Sequence, residues 1–414
     1  MPERSTTATR ILFPGRDQVV LTLAIALLVT LAGCAPVRHY EAARVLQDFA
    51  AGAADSRLKR TTPAPLRQPL DYTVAGRAHH ADLYLPAALD GCVAPGQVSV
   101  PHCPRAALVA VPGAVPQGKD DPRMVAFATT LARAGFAVMV PDLTGYRQLR
   151  IRPSDAREIA DAFAWISRQP ELAPDGRAGM FAFSYSVAPA VLAALEDDIR
   201  EQVHFIVGLG GYHDLPRAML FFTTGWFEHE GAWQFITPDD TGRMVLAYSS
   251  LDYLAPAPDR AVFDRMVAQR MDDPQADLAP LAARLSQGAQ AVYALALNND
   301  PARFAELFAR LPRGMREHID QLDLARHDLT PLQARLILVH GRNDNLIPYT
   351  ESLALAGAVP AGQARVFLIR SVLGHVDLGV SDLFTWRFWR EDLPDLWRLW
   401  RVIDLLLAER EDGA

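Results

Sequence analysis

The sequence predicts an α/β chain, a mostly parallel sheet flanked by helices, with a long helical insertion between its sixth and seventh strands. Three observations carry this. Short, continuously apolar runs alternate with segments whose apolar residues recur at helical spacing, as in parallel strands buried on both faces and joined by crossover helices. The alternation stops near Leu215, and only helix-like segments follow as far as about Leu329. It then resumes, so both flanks of the insertion return to one sheet.

The elements follow in order. Residues 70–74 and 81–85 alternate apolar and polar around a loop containing Gly76, the signature of an antiparallel hairpin. Residues 106–112 read as a buried strand. Met124, Phe127, Ala128 and Leu131 form a helical stripe that ends at Gly135, a suitable residue just past a helix. The next strand is 136–141, and Ile159, Ala162, Phe163 and Ile166 line the helix after it. A strand at 177–182, a helix at 187–195 and a strand at 204–210 complete the first part. The insertion holds helix-like segments at 217–227, 241–254, 259–271, 278–297 and 302–322, the last broken at Pro312. Their apolar faces (Met219, Phe222 and Trp226; Val262, Phe263 and Met266; Phe304, Leu307 and Phe308) need a partner surface, and the carboxyl edge of the sheet is the nearest. A strand at 335–340, a helix at 351–358 and a strand at 364–370 close the sheet. The last stretch interleaves Trp386, Trp389, Trp397 and Trp400 with Arg387, Arg390, Arg398 and Arg401. It reads as a final helix with its aromatic side on the sheet, a membrane-surface helix being the competing placement.

The N-terminal region is set apart from this fold. Arg4, Arg10 and Arg16 precede an apolar run at 19–33, short for a bilayer-spanning helix, which needs about 20 residues, and suited to the core of an export signal. The run ends in Leu31-Ala32-Gly33-Cys34, similar to the bacterial lipobox, in which the cysteine becomes the lipidated first residue of the mature protein. An uncleaved anchor with an incidental cysteine is the alternative. With Ala35 following, the pattern resembles that of lipoproteins not retained at the inner membrane. The expected organisation is a signal peptide at 1–33, a tether with a short helix (40–51) at 34–65, the first part of the core at 66–215, a helical cap at 216–330 and the second part of the core at 331–414. Localisation follows as the bacterial cell envelope, exported and lipid-anchored through Cys34.

Composition excludes some classes. The 414 residues carry a formal net charge of −7 with no basic cluster, which speaks against nucleic acid as a partner. Cys92 and Cys103 flank a Pro/Gly-rich loop and, in an exported chain, read as a local disulfide. With His102 they fall short of the four ligands of a structural zinc site, so no metal or cofactor is expected.

The chemistry concentrates at Ser184, in Ala182-Phe183-Ser184-Tyr185-Ser186, between a strand and a helix. A serine on such a turn has its hydroxyl held out from the sheet, and the positions two to either side must be small. A serine hydroxyl is a weak nucleophile at neutral pH; it needs a base in hydrogen-bond reach and a carboxylate to orient that base. Downstream come Asp344, in His340-Gly-Arg-Asn-Asp344-Asn-Leu-Ile-Pro348, and His375, in Leu373-Gly374-His375-Val376, each after a strand. The Ser, Asp, His order and the HGxxDxxxP pattern resemble the α/β-hydrolase superfamily, over roughly residues 66–407.

That resemblance implies the α/β-hydrolase fold with a cap and a catalytic triad of Ser184, Asp344 and His375. It also implies an oxyanion hole from the backbone N–H of Tyr185 and of Ala114, with Val115 as second choice. Asp214 is the runner-up acid, since some members place the acid one strand earlier, and His340 is expected to pack beneath the acid loop. The chain departs from the family's Gly-x-Ser-x-Gly at both glycines, replaced by Ala182 and Ser186, and Pro189 enters the helix early. The expected function is an exported, lipid-anchored serine hydrolase that cleaves a small-molecule carboxylic ester through an acyl-enzyme at Ser184. Two alternatives stay open: an acyltransferase with the same triad, and a non-catalytic envelope-binding lipoprotein on a hydrolase scaffold.

Overall fold

The computed structural model describes residues 36–86, 103–254, 256–273, 276–370 and 392–411. Its first helices are α1 (Pro36–Ala51) and α2 (Arg57–Thr61). Strands β1 (Leu66–Val74) and β2 (Arg77–Leu85) form the expected hairpin, with Ala75 and Gly76 both at positive φ, the geometry that matches the natural twist of paired strands. Then come β3 (Ala106–Val111), α3 (Pro122–Arg133), β4 (Phe136–Pro141), α4 (Thr144–Arg147), α5 (Ser154–Ser167), β5 (Ala178–Phe183), α6 (Val187–Ala193) and β6 (Phe205–Leu209).

The insertion follows as α7 (Leu215–Thr224), β7 (Trp226–His229), β8 (Ala232–Phe235), α8 (Thr241–Ser250), α9 (Pro256–Asp272), α10 (Ala279–Ala282), α11 (Gln287–Ala296), α12 (Phe304–Ala309) and α13 (Arg313–Leu322). The chain returns to the sheet with β9 (Arg335–Gly341), α14 (Thr350–Ala358), β10 (Ala364–Ile369) and α15 (Leu393–Ala408).

Eight strands form one sheet in the order β1-β2-β4-β3-β5-β6-β9-β10, with β1 and β2 antiparallel and the remaining six parallel. Alternate residues of β3 enter different cores. Ala107, Val109 and Val111 join the layer of α5, α6 and the insertion, whereas Ala106, Leu108 and Ala110 join that of α1, α3 and α15. The period-two alternation of a strand thus divides one fully buried apolar run between two faces.

Two expectations need correction. The insertion is not purely helical: β7 and β8 pair as an antiparallel hairpin around Glu230 and Gly231, both at positive φ. Helix α7 stops at Thr224 because Gly225 takes the left-handed conformation there, so the expected helix at 217–227 ends early. Nor is 36–62 a loose tether. Ala42, Ala43, Val45 and Leu46 of α1 are buried in the α3/α15 core, and Phe49 stacks on Phe127 at 5.3 Å. Polar partners far along the chain complete the docking: Arg38 Nε and His39 Nδ1 each lie 2.9 Å from Asp404 Oδ1, and Thr130 Oγ1 donates to Asp48 Oδ2 at 2.6 Å.

At the C terminus Trp400 is buried and its Nε1 donates to the His39 carbonyl at 3.0 Å, so α15 packs on the fold; Trp397 is half exposed. Trp386 and Trp389 lie outside the described residues.

Candidate active site

The chain runs from β3 to β4 on one side and returns to β5 on the other, so β3 and β5 are neighbours at the point where strand order reverses. In open α/β sheets, ligands bind outside the carboxyl ends of the strands at such a point. Ser184 lies there. It is one of five described non-glycine residues at positive φ, with φ 55°, immediately after β5 and before α6. A left-handed backbone at a residue with a side chain costs about 1–3 kcal/mol and persists only where its surroundings impose it.

Ser186 helps to impose it. Its hydroxyl is fully buried, accepts a hydrogen bond from Phe183 N at 2.9 Å, and lies 2.7 Å from the Phe183 carbonyl and 3.2 Å from that of Val111. The residue that breaks the glycine pattern therefore tightens the turn. Reasoning from sequence saw there a small side chain with a second hydroxyl beside Ser184, without its role in the turn. Pro189 is the third residue of α6, inside the first turn, where a missing N–H costs little.

Val111 is in register with Ala182, which brings the loop after β3 alongside the elbow. A Cβ built on Gly113 would stand 3.8 Å from Ser184 Cβ. The next residue, Ala114, is buried. Of the two predicted oxyanion positions, Tyr185 follows Ser184 in the chain, and Ala114 follows the Gly113 that lies against Ser184.

Asp344 follows β9, two strands from β5 across β6. Its Oδ1 accepts from Leu346 N at 2.8 Å and Ile347 N at 3.0 Å, which fixes the carboxylate within its own loop. Gly210, at the end of β6 with φ 66°, makes room for it: a Cβ there would approach Asp344 Oδ2 to 3.2 Å. His340 packs beneath the loop as expected, fully buried, with Nδ1 2.7 Å from Ser352 Oγ, Nε2 2.9 Å from the Ile347 carbonyl and Nε2 3.5 Å from Asp344 Oδ2.

Asp214 has a different occupation. Its Oδ1 accepts from Arg217 N at 2.8 Å as the N-cap of α7. Its own N–H and that of His213 donate to Glu351 Oε2, at 2.8 and 3.1 Å. Glu351, which reasoning from sequence missed, is a fully buried carboxylate whose pKa is raised by that burial. No motif marks it; its partners, the N–H groups of His213 and Asp214 and the Arg217 guanidinium 3.6 Å from Oε1, lie more than a hundred residues earlier.

The insertion sits over these loops. Asp239 N donates to the Asn345 carbonyl at 2.9 Å, and Tyr349 lies edge-on to Phe227 and His229 of β7, with ring centroids 5.8 and 5.3 Å apart. On the other side His318 Nε2 lies 2.7 Å from the Ile151 carbonyl, and Arg150 pairs with Asp252. Tyr185 is buried, and desolvation first, then the charges of Asp344 and Asp239, push its phenol well above the ordinary range.

The expected base His375, the expected anchor Cys34 and one partner of the expected disulfide, Cys92, lie outside the described residues. Cys103 is described, shortly before β3. No group of three or more His, Cys, Asp or Glu side chains suited to a metal ion occurs among the described residues, and no helix among them is long and apolar enough to cross a membrane.

No protein-family model matches the chain, and no curated protein sequence does. Solved structures do. A proposed hydrolase from Legionella pneumophila superposes with a TM-score of 0.51 at 13% identity, over 86% of this chain and 94% of that one. An acylaminoacyl peptidase from Pyrococcus horikoshii (TM-score 0.43, 11% identity) covers 86% of this chain and 44% of its own. The 2,6-dihydroxy-pseudo-oxynicotine hydrolase (TM-score 0.42, 13% identity) covers 86% of this chain and 74% of its own. At 13% identity the likeness to the Legionella structure is one of fold; the fold is that of the α/β-hydrolases, with the insertion between the sixth and seventh strands of the sheet.

Proposed function

We propose that the protein is a serine hydrolase that forms an acyl-enzyme at Ser184 and acts on carboxylic esters. The observation that carries the reading is the left-handed backbone of Ser184 at the switch point of the sheet. Ala75, Leu149, Asp175 and Glu230 are left-handed in ordinary turns; what sets Ser184 apart is that conformation at a strand-to-helix turn on the carboxyl edge of a parallel sheet, where it holds a hydroxyl out from the sheet. In this reading His375 takes the Ser184 proton as Oγ attacks the carbonyl, and Asp344 holds the imidazole in the right tautomer. The N–H groups of Tyr185 and Ala114 stabilise the oxyanion, and water then releases the acid with His375 again as base. The role of Asp344 is supported by its fixed carboxylate and by the commitment of Asp214 to capping a helix.

The same proposal includes export, a diacylglyceryl anchor on Cys34 and a Cys92–Cys103 disulfide. The test of the chemistry is hydrolysis of p-nitrophenyl esters by wild type and Ser184→Ala. Loss of turnover in a variant of unchanged thermal stability supports the reading; retained turnover sinks it.

A further inference from the structure

We propose that the fold is held against the bilayer by the amino edge of its sheet, so that the Ser184 edge faces away and takes water-borne or polymer-attached esters rather than lipids of its own membrane. This rests on the reading that Cys34 carries the anchor. Helix α1 sets the geometry. Two residues separate Cys34 from Val37, and three residues of extended chain span at most about 11 Å. Because α1 is docked and not tethered, that short reach fixes which part of the body lies at the membrane.

The amino end of α1 sits on the amino edge of the sheet. Arg38 Nη1 donates to Glu411 Oε2 at 2.7 Å. The 409–411 segment of which Glu411 is part crosses the starts of four parallel strands. Arg335 at the start of β9 pairs with Glu409 at 2.6 Å, and Arg177 before β5 donates to the Arg410 carbonyl at 3.2 Å. Arg105 before β3 lies 3.9 Å from Glu411, and Arg410 donates to the Ala134 carbonyl before β4. Arg38 also lines a cleft of about 380 Å³ with Arg335, Gln363 and Arg365, at the starts of β9 and β10.

Ser184 is at the other end. A six-residue strand such as β5 spans about 20 Å, and the insertion adds a further layer beyond its carboxyl end. A body leashed by some 11 Å at one edge cannot invert to bring the opposite edge to the same surface. A long flexible leader would allow it; a docked helix does not.

The test uses the full-length lipidated protein in vesicles containing a rhodamine-headgroup lipid. A donor dye is attached to a bioorthogonal residue at Arg365, exposed on the amino edge, or at Trp233, exposed on the β8 hairpin of the cap. Neither position belongs to the proposed catalytic machinery. Energy transfer to the bilayer is expected to be at least twofold more efficient from 365 than from 233. A Gly/Ser insert of roughly fifteen residues between Ala35 and Pro36, which behaves as a flexible coil, should erase that difference. Equal transfer from both positions, or stronger transfer from 233, in protein that floats with the vesicles overturns the orientation while leaving the anchor intact. Protein that does not float overturns both the anchor and the orientation. Transfer is read without turnover, so an inactive enzyme does not disguise either result.

Discussion

Substituting Ser184 by glycine and by alanine separates the backbone claim from the chemical one. Both variants remove the hydroxyl, so both are expected to be inactive on p-nitrophenyl esters. Their stabilities should differ. Alanine must hold φ 55°, in the region where a Cβ crowds the following carbonyl, at a cost of about 1–2 kcal/mol; glycine does not. Glycine gives back about 0.4–1 kcal/mol through its freer unfolded chain. The net expectation is that Ser184→Gly is about 0.5–1 kcal/mol more stable than Ser184→Ala. Urea unfolding followed by tryptophan fluorescence measures this as a shift in midpoint at constant slope. Ser184→Ala as stable as Ser184→Gly, or more so, would mean that residue 184 is not left-handed. The strand-to-helix elbow, and with it the case for Ser184 as nucleophile, would fall.

Asp344→Asn should lower kcat by about four orders of magnitude, as expected when a triad imidazole loses its orienting carboxylate, while Asp214→Asn should stay near wild type, its amide oxygen still able to cap α7. Near-normal turnover in Asp344→Asn with a dead Asp214→Asn would move the acid to β6. Ser186→Ala should keep a reactive Ser184 yet lose about 1 kcal/mol of stability, because Phe183 N loses its acceptor; full loss of reactivity with intact folding would show that the elbow register is misread. Asp155 is buried, and desolvation raises its pKa from 3.8 to about 7. The folded state therefore binds this proton more tightly than the unfolded chain, and stability from this group is full below about pH 4 and lost as pH rises towards 7. In Asp155→Asn, whose side-chain oxygen still accepts from Arg152 N, the slope of unfolding free energy over that interval should flatten; an unchanged slope contradicts the assignment.

What could be read from the sequence was whatever is local. Strands such as β4 are continuous apolar runs bounded by glycine and proline, and they were legible almost to the residue. The first residues of β1, from Leu66, are largely exposed and carry no such signal. The hairpin of β7 and β8 was hidden because four-residue strands give too few alternations to separate from a helical stripe; its one cue was the Glu230-Gly231 turn. The docking of α1 was illegible for another reason. Its polar residues look like a solvated face until Asp404 and Arg410, more than 360 residues away, are brought to them. At the site, Ser184 and Asp344 were found by motif and order, while the supporting roles of Ser186 and Glu351 were missed because most of their partners are backbone groups, which leave no trace in residue type.

The central claim is that Ser184 is a nucleophile activated by a base. The direct measurement is reaction of the folded protein with a fluorophosphonate probe, followed by peptide mass spectrometry. The account predicts a single phosphonyl adduct on Ser184, absent after heat denaturation and absent in Ser184→Ala. An unlabelled folded protein, or an adduct on Ser186 in its place, would contradict it.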